Sequence, residues 1–188
     1  LQQDLVVLRE MCKQAQDFGT ALGLDNVSTF ECIVEGDQHY FMEVNTRIQV
    51  EHRVTEMGYR LEFTNPDKPG DNFLVDSLVA AMFLVACYGQ VIPKPQRQLR
   101  NLSGMEVRIN ATNQGLQPHA GGILRSWSIP IEGELRDDQG IGLRNPDTGL
   151  FQPYHLAGAY DSNVALSVTW GRTRLENLEQ MARVLREM

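Results

Sequence analysis

The stretch Phe41-Met-Glu-Val-Asn-Thr-Arg-Ile-Gln-Val-Glu-His-Arg-Val-Thr-Glu-Met57 decides how this 188-residue chain is interpreted. Its first half alternates polar residues with apolar or small ones. Because side chains alternate between the two faces of a strand, this spacing predicts an extended segment with one polar edge. Along that edge an acid, an amide, a guanidinium, an amide and a second acid follow one another, as Glu43, Asn45, Arg47, Gln49 and Glu51.

A further carboxylate, Glu31, lies upstream in residues 27–34, which together with residues 39–44 predict two antiparallel strands. A loop with an odd number of residues would make Glu31 and Glu43 face the same way, and a three-residue loop Gly36-Asp-Gln38 would place them directly opposite each other. Opposed carboxylates repel unless a cation or a proton lies between them. Oxygen ligands on a rigid hairpin suit Mg²⁺, whereas the alternative is a solvated hairpin face on which glutamate is common.

The middle and the far end of the polar row indicate a different chemistry. The guanidinium fork of Arg47 matches the paired oxygens of a small planar anion. Glu51, at the end of the row, could then accept a proton from that anion as a general base.

The remaining pattern predicts an α+β fold. Apolar residues at helical spacing predict a helix over residues 3–17 that stops near Gly19, and a strongly apolar, buried helix over residues 72–88 that follows an exposed loop at 64–71. Two prolines in Pro93-Lys-Pro95 favour an extended connector, so the domains are placed at residues 1–95 and 96–188.

The second part is predicted to be a mostly antiparallel sheet closed by a helix. Strand-like runs cover residues 105–110, 122–129 and 165–170. The final helix, residues 174–188, carries one apolar face made of Leu175, Leu178, Met181, Ala182 and Leu185.

Composition excludes some classes of function. A net charge of −7 argues against a nucleic-acid surface. No apolar run is long enough for a membrane span, since Asp76 and Ser77 interrupt the longest one. The three cysteines form no CxxC pair, which favours reduced thiols in a cytoplasmic protein. The chain opens at Leu1 inside a helical pattern, so we expect it to be part of a longer protein.

The segment Phe41 to His52, followed by Val54-Thr-Glu-Met57, resembles the signature of the biotin carboxylases, the ATP-grasp enzymes that begin acetyl-CoA, propionyl-CoA and pyruvate carboxylation. Thr29-Phe-Glu31 resembles the family's other metal-carboxylate strand, and Glu106-Val-Arg-Ile-Asn-Ala111 the segment that brings an arginine to biotin. Ala159-Tyr-Asp-Ser162 and Trp170-Gly171 resemble the close of its C-terminal domain. The resemblance is strong over residues 27–57 and weaker, but in order, over 104–188.

The resemblance implies the C-terminal part of an ATP-grasp domain over residues 1–95 and a biotin carboxylase C-terminal domain over 96–188. The implied cofactors are ATP, Mg²⁺ (or Mn²⁺) and biotin on a carrier domain. The implied partners are that biotin carboxyl carrier domain, a carboxyltransferase, the missing N-terminal half of the same chain and, as in relatives, a second copy in a homodimer.

The resemblance also implies a role for each site residue. Glu31 and Glu43, assisted by Asn45, would hold the metal ions that bridge the ATP phosphates. Arg47, Gln49 and the backbone of Val50 would bind bicarbonate, and Glu51 would deprotonate it so that it attacks the γ-phosphate to give carboxyphosphate. Arg108 would stabilise the biotin enolate. His52 is interpreted as an orienting or core residue, and Asp161 either orients Arg108 or caps a turn.

The sequence departs from the family at several places. Arg53 stands where the family has proline, and residues 58–71 resemble an insertion. The chain has no Gly-rich phosphate loop, and its three lysines, Lys13, Lys68 and Lys94, lie in no nucleotide-binding pattern. We therefore expect the chain by itself to show no carboxylation activity and to bind ATP weakly or not at all.

Two other interpretations remain open. The first is a different ATP-grasp ligase, such as a carbamoyl-phosphate synthetase or a purine-pathway carboxylase, which shares the two-strand Glu…Glu-x-Asn pattern. The second is a non-catalytic domain for assembly or carrier docking, which Arg53 and the insertion favour slightly. Retention of all the site residues together argues against this second interpretation.

Overall fold

The computed structural model describes residues 2–119, 121–126, 133–136, 144–156 and 162–188. The chain divides into two compact units, one made of Leu1–His52 with Tyr59–Leu99 and the other of Arg53–Gly58 with Arg100–Met188. Both units combine helices with antiparallel strands, so the predicted α+β class is confirmed. Among the helices that the structure describes, none combines the length and hydrophobicity that crossing a bilayer requires.

The first unit begins with a helix and a hairpin: α1 (Gln2–Leu22), β1 (Thr29–Glu35) and β2 (Gln38–Asn45). Helix α1 continues through the predicted stop at Gly19 and ends before Gly23, whose φ of +67° suits glycine at a helix C-terminus. It packs on the hairpin through an aromatic cluster, in which the Phe18 ring lies 5.9 Å from Phe30 and 5.3 Å from Phe41. One face of the hairpin, which carries Phe30 and Phe41, therefore packs against α1.

A second sheet completes this unit. Beyond α2 (His52–Gly58) come β3 (Tyr59–Thr64), β4 (Asn72–Val75), α3 (Leu78–Tyr88) and β5 (Gln96–Leu99), with strand order β4-β3-β5. Residues 58–71, interpreted as an inserted loop, therefore include a paired strand. The helix predicted over residues 72–88 is wrong in its first part, because residues 72–75 form β4 and α3 starts only after Ser77, whose hydroxyl accepts from the Ala80 N–H. An apolar run without clear periodicity does not distinguish strand from helix.

The core of this part lies between sheet and helix. Phe63, Val75, Ala81 and Ile92 form one buried cluster. The prediction that the apolar helix is buried on most sides is wrong, because only Ala81 of α3 is buried and Phe83 is 69% exposed. Burial raises the pKa of the Tyr59 phenol on β3 above its usual value, an effect that the nearby Arg97 guanidinium partly opposes and that Cys12 reinforces.

The second unit is a sheet with a helix packed on it. Its elements, besides most of α2, are β6 (Ser103–Asn110), β7 (Ile123–Leu124), β8 (Glu134–Arg136), β9 (Tyr154–His155), β10 (Asn163–Gly171) and α4 (Arg174–Glu187). The main sheet has the order β6-β10-β8, and β7 pairs with β9, all antiparallel. The strands predicted over 105–110 and 165–170 are confirmed. Of the strand predicted over 122–129, residues 123–124 are a strand, and 127–129 lie outside the described residues.

The predicted apolar face of helix α4 is only partly confirmed. Met181 is buried as predicted, whereas Leu175, Leu178 and Leu185 are exposed, and the other buried residues are Asn177 and Val184. The buried stripe is therefore rotated away from the leucine-rich one that the prediction chose. Gly171 permits the close approach of α4, because a Cβ there would lie 2.8 Å from the backbone nitrogen of Asn177.

Replacing Asn177 by alanine is expected to lower the free energy of unfolding by about 2–4 kcal/mol, because the buried Thr169 hydroxyl and the half-buried Ser103 carbonyl lose their hydrogen bonds. The Asn177 amide accepts from the Thr169 hydroxyl at 2.6 Å and donates to the Ser103 carbonyl at 2.7 Å, so it ties α4 to both β10 and β6. Urea unfolding of the chain measures the change. Gln180→Ala is the control, because it removes one exposed hydrogen bond, which the Trp170 N–H donates to the Gln180 side chain on the same helix. It should lower the free energy of unfolding far less than Asn177→Ala does. Equal losses for the two variants would contradict the role of the Asn177 network.

The three cysteines, Cys12, Cys32 and Cys87, are free thiols, as the sequence predicts. The compartment inferred from them stays a prediction.

Candidate functional site

The two glutamates of the hairpin lie opposite each other. Glu31 of β1 pairs directly with Glu43 of β2, so the predicted juxtaposition is confirmed. The predicted three-residue loop is wrong, because Glu35 pairs with Gln38 and leaves a two-residue turn in which Gly36 takes φ +61°. A bulge at Met42 supplies the odd residue instead, since the register passes from Glu31↔Glu43 to Cys32↔Phe41.

Amide groups connect these carboxylates. The Asn45 amide nitrogen donates to Glu31 Oε1 at 2.9 Å and to Glu43 Oε1 at 3.2 Å. The Gln49 amide nitrogen donates to the same Glu31 oxygen at 2.8 Å. Neutral donors thus offset part of the repulsion between two facing negative charges. Glu31 is half-buried and Glu43 is exposed, so the pair lies at the border between protein and solvent.

The polar row does not continue as a strand. Strand β2 ends at Asn45, and the chain bends at Thr46 and Arg47, so the predicted extended segment up to residue 51 is wrong. The exposed Arg47 side chain donates to the Ile48 carbonyl at 3.2 Å. The bend turns the chain back, which is how Gln49 reaches Glu31 eighteen residues upstream. The periodicity of the sequence predicts alternating faces, but it cannot predict a long-range hydrogen bond that favours a bend.

Glu51 lies in a tight turn immediately before α2. Val50 and Glu51 occupy the turn, and the backbone N–H of His52 closes it by donating to the Gln49 carbonyl at 3.2 Å. The His52 ring nitrogen Nδ1 lies 3.0 Å from the same carbonyl. Because a carbonyl can only accept, Nδ1 carries the proton in this contact. Gln49 is therefore held both by its side chain, through Glu31, and by its carbonyl, through His52, and half-buried Glu51 lies in the turn that these contacts close.

The donor set around Glu31 fits a hard divalent cation. Two carboxylates lie within reach of one amide group, and the Asn45 amide oxygen could serve as a further oxygen ligand. Mg²⁺ uses one or two carboxylates and completes its shell with water and substrate phosphate oxygens, so two carboxylates are enough protein ligands for it. Within the described ranges, no larger group of three or more His, Cys, Asp or Glu side chains could hold a metal ion.

The opposite face of the hairpin is apolar. A cavity of about 250 Å³ lies between α1 and the hairpin and is lined by Phe18, Phe30, Phe41 and their neighbours. Phe30 and Cys32 flank Glu31 in sequence and therefore point away from it. This cavity therefore lies in the packing of α1 on the hairpin, on the face away from Glu31.

Arg108 belongs to the second unit. It lies on β6 opposite Leu166 of β10, and its side chain is 50% exposed. Glu106 lies two residues earlier on the same strand, with Oε1 3.9 Å from Arg108 Nε. The alternation of the strand could have identified this neighbour from the Glu-x-Arg spacing. Asp161, the predicted orienting partner of Arg108, lies outside the described residues.

Arg53 is part of helix α2 and forms an ion pair with Glu56, three residues later. Glu56 is almost completely buried, with 3% of its side chain exposed, so it needs a positive partner. Arg53, at the position where the sequence resemblance leads us to expect proline, is therefore a paired helical residue that supplies positive charge to a buried carboxylate.

Comparison with known proteins now gives these residues a context. Residues 4–64 match the family described as carbamoyl-phosphate synthase L chain, ATP binding domain. The chain is 32% identical over 184 residues to the biotin carboxylase of Halalkalibacterium halodurans, over 96% of this chain and 35% of that protein. It is also 31% identical over 194 residues to the propionyl-CoA carboxylase alpha chain of Ruegeria pomeroyi, with 95% and 26% covered.

The fold agrees with these relatives. The chain superimposes on the crystal structure of the biotin carboxylase subunit of pyruvate carboxylase with a TM-score of 0.57 and 25% identity, over 86% of this chain and 31% of that one. The chain is therefore homologous to biotin carboxylases over most of its own length, and it spans about a third of theirs.

Proposed function

We propose that the chain supplies the metal-binding, bicarbonate-binding and biotin-facing residues of a biotin carboxylase, within a protein that carboxylates biotin with bicarbonate and hydrolyses ATP to do so. The observation that carries this proposal is the opposed pair of Glu31 and Glu43, with Asn45 and Gln49 bonded to it and Glu51 in the adjoining turn. These residue types are the ones that the reaction needs, because it brings several negative charges together.

In the proposed mechanism, Glu31, Glu43 and Asn45 would hold Mg²⁺ or Mn²⁺, which would supply positive charge to offset the negative charge of the ATP phosphates. The carboxylates of Glu31 and Glu43 provide fixed negative charge for it on a rigid hairpin. Asn45, which already contacts both, keeps their oxygens at a constant separation.

The next residues along the chain act on bicarbonate. Arg47 offers a planar fork for two of its oxygens, and Gln49 and the Val50 backbone complete the site. Glu51 accepts the bicarbonate proton, so that the oxygen attacks the γ-phosphorus of ATP, ADP leaves and carboxyphosphate forms. Carboxyphosphate then releases carbon dioxide and phosphate. Arg108 would face the ureido oxygen of biotin and stabilise the negative charge that develops there.

The proposal extends to domains and partners. Residues 1–95 would be the C-terminal part of an ATP-grasp domain and residues 96–188 a biotin carboxylase C-terminal domain. The partners would be a biotin carboxyl carrier domain, a carboxyltransferase and, as an option, a second copy of the chain. One relative is named as the alpha chain of propionyl-CoA carboxylase, which supports an assembly with other chains.

The experiment is an ATPase assay on the whole protein. We expect ATP hydrolysis that depends on bicarbonate and is stimulated by free biotin. ATP hydrolysis whose rate does not depend on bicarbonate would contradict the proposal and favour another ATP-grasp ligase. A complete lack of ATP hydrolysis would favour an assembly domain. The 188-residue chain by itself is the control: it should show no carboxylation, and calorimetric titration with MgATP should give weak binding or none. Micromolar affinity in that titration would contradict this expectation.

A further inference from the structure

Glu106 and Arg108 share one face of strand β6. They are two residues apart, so their side chains emerge on the same side. Their cross-strand neighbours on β10 are Val168 for Glu106 and Leu166 for Arg108, and both neighbours are completely buried. The two charged side chains therefore lie beside buried apolar residues of the central strand β10, on the outer strand β6 of the described main sheet.

The two charges differ in their exposure. Only 7% of the Glu106 side chain is exposed, against 50% of the Arg108 side chain. A buried carboxylate is costly unless a positive group lies close to it, and here Arg108 Nε lies 3.9 Å from Oε1. This nitrogen is at the base of the guanidinium, next to the aliphatic chain. Glu106 therefore acts on the inner edge of the group, while half of the side chain stays open to solvent.

We propose that Glu106 is the positioning residue for Arg108: its buried charge fixes the guanidinium of Arg108 in the orientation that faces the ureido oxygen of biotin. The inference rests on the proposed function for the role of Arg108. A long arginine side chain on a sheet surface otherwise loses rotamer entropy when it is immobilised on a ligand. A fixed carboxylate beneath it reduces that loss before biotin arrives, and a residue without charge at position 106 cannot do so.

The first measurement uses the 188-residue chain itself. Nitrogen-15 relaxation of arginine side chains reports the order parameter of each Nε–Hε vector, and Arg108→Lys assigns the Arg108 signal. We expect the Arg108 order parameter to lie above about 0.6 in the wild type and to fall below it in Glu106→Gln, since values below about 0.6 mark flexible groups. A mobile Arg108 in the wild-type chain would overturn the inference without any variant having to fold.

The second measurement uses the whole protein and biotin-stimulated ATP hydrolysis. Glu106→Gln should raise the half-saturating biotin concentration about tenfold, which corresponds to about 1.4 kcal/mol, and should leave the KM for MgATP unchanged. Glu106→Asp, which keeps the charge, should recover part of the loss. Glu56→Gln is the matched control, because Glu56 is also a buried carboxylate of the second unit paired with an arginine. It should lower stability and leave biotin saturation unchanged.

The outcomes separate this inference from the proposed function. If biotin stimulates hydrolysis and Glu106→Gln and Glu56→Gln change biotin saturation equally, the positioning role is wrong and the proposed function stands. If the Arg108 order parameter depends on Glu106 and biotin has no effect on the wild-type enzyme, the ion pair is real and the role of Arg108 in biotin binding fails.

Discussion

Replacing Glu51 by glutamine in the whole protein is expected to lower bicarbonate-dependent ATP hydrolysis about 10²–10⁴-fold, the usual contribution of a positioned general base. Glutamine keeps the size and polarity of the side chain and removes its ability to accept a proton. The turn that holds residue 51 depends on the backbone of Gln49 and His52, so the substitution leaves the turn intact. Steady-state rates at saturating MgATP and bicarbonate measure the effect, and the KM for MgATP should change little.

A suitable control for this variant is Glu35→Gln. Glu35 is an exposed carboxylate at the far end of β1, next to the hairpin turn, and it pairs with Gln38 rather than with any of the proposed ligands. Its replacement should leave the rate unchanged. If Glu51→Gln and Glu35→Gln give the same rate as the wild type, Glu51 is not the base, and the proton of bicarbonate has to leave by another route.

The segment from Glu43 to Glu51 shows which features sequence periodicity predicts and which it does not. Alternation predicts which positions share a face, because a strand period of two leaves only two faces to choose from, but the direct opposition of Glu31 and Glu43 also depends on an odd residue that the loop was expected to supply and the Met42 bulge supplies instead. Alternation fails from Thr46 onwards. The bend there is stabilised by the contact of Gln49 with Glu31, and a one-dimensional pattern contains no information about a partner eighteen residues away. The sequence therefore predicts the carboxylate pair, but not the folding back that brings Gln49 to it.

The errors elsewhere have similar causes. The hairpin has a two-residue turn and a bulge at Met42 where a three-residue loop was predicted. Glu31 still pairs with Glu43, because the one extra residue has the same effect on their register whether it lies in the loop or in the strand. The start of α3 was predictable, since Ser77 followed by an apolar run is a helix N-cap pattern. The buried face of α4 was harder to predict, because it includes Asn177, a polar residue that becomes buried only when Thr169 and Ser103 satisfy it.

The carboxylate pair gives the second large prediction. Glu31→Gln in the whole protein is expected to lower MgATP-dependent hydrolysis by on the order of 10²–10³-fold, since metal-ion stabilisation of transition-state charge is worth several kcal/mol. The stability of the chain without metal should stay the same or rise slightly. The glutamine carbonyl still accepts from Asn45 and Gln49, while the repulsion between two facing charges disappears.

Activity as a function of Mg²⁺ concentration and thermal unfolding of the 188-residue chain with and without Mg²⁺ test this prediction together. We expect Mg²⁺ to stabilise the wild-type chain and not the Glu31→Gln chain, because a ligand stabilises only the state that binds it.

Glu62→Gln is the matched control, since Glu62 is also a carboxylate that accepts amide hydrogen bonds, from Asn72 and Gln98, but it has no opposed carboxylate partner on β4 or β5. Its replacement should leave both the Mg²⁺ dependence and the Mg²⁺-induced stabilisation intact. A Glu31→Gln protein that keeps wild-type activity and the wild-type response to Mg²⁺ would show that the facing glutamates bind no metal. The pair would then be an exposed hairpin face whose repulsion is relieved by Asn45 and Gln49 alone. A selective loss in Glu31→Gln has the opposite meaning: these two amides hold the carboxylates ready for a cation at some cost in stability, which is the pattern expected of a functional site.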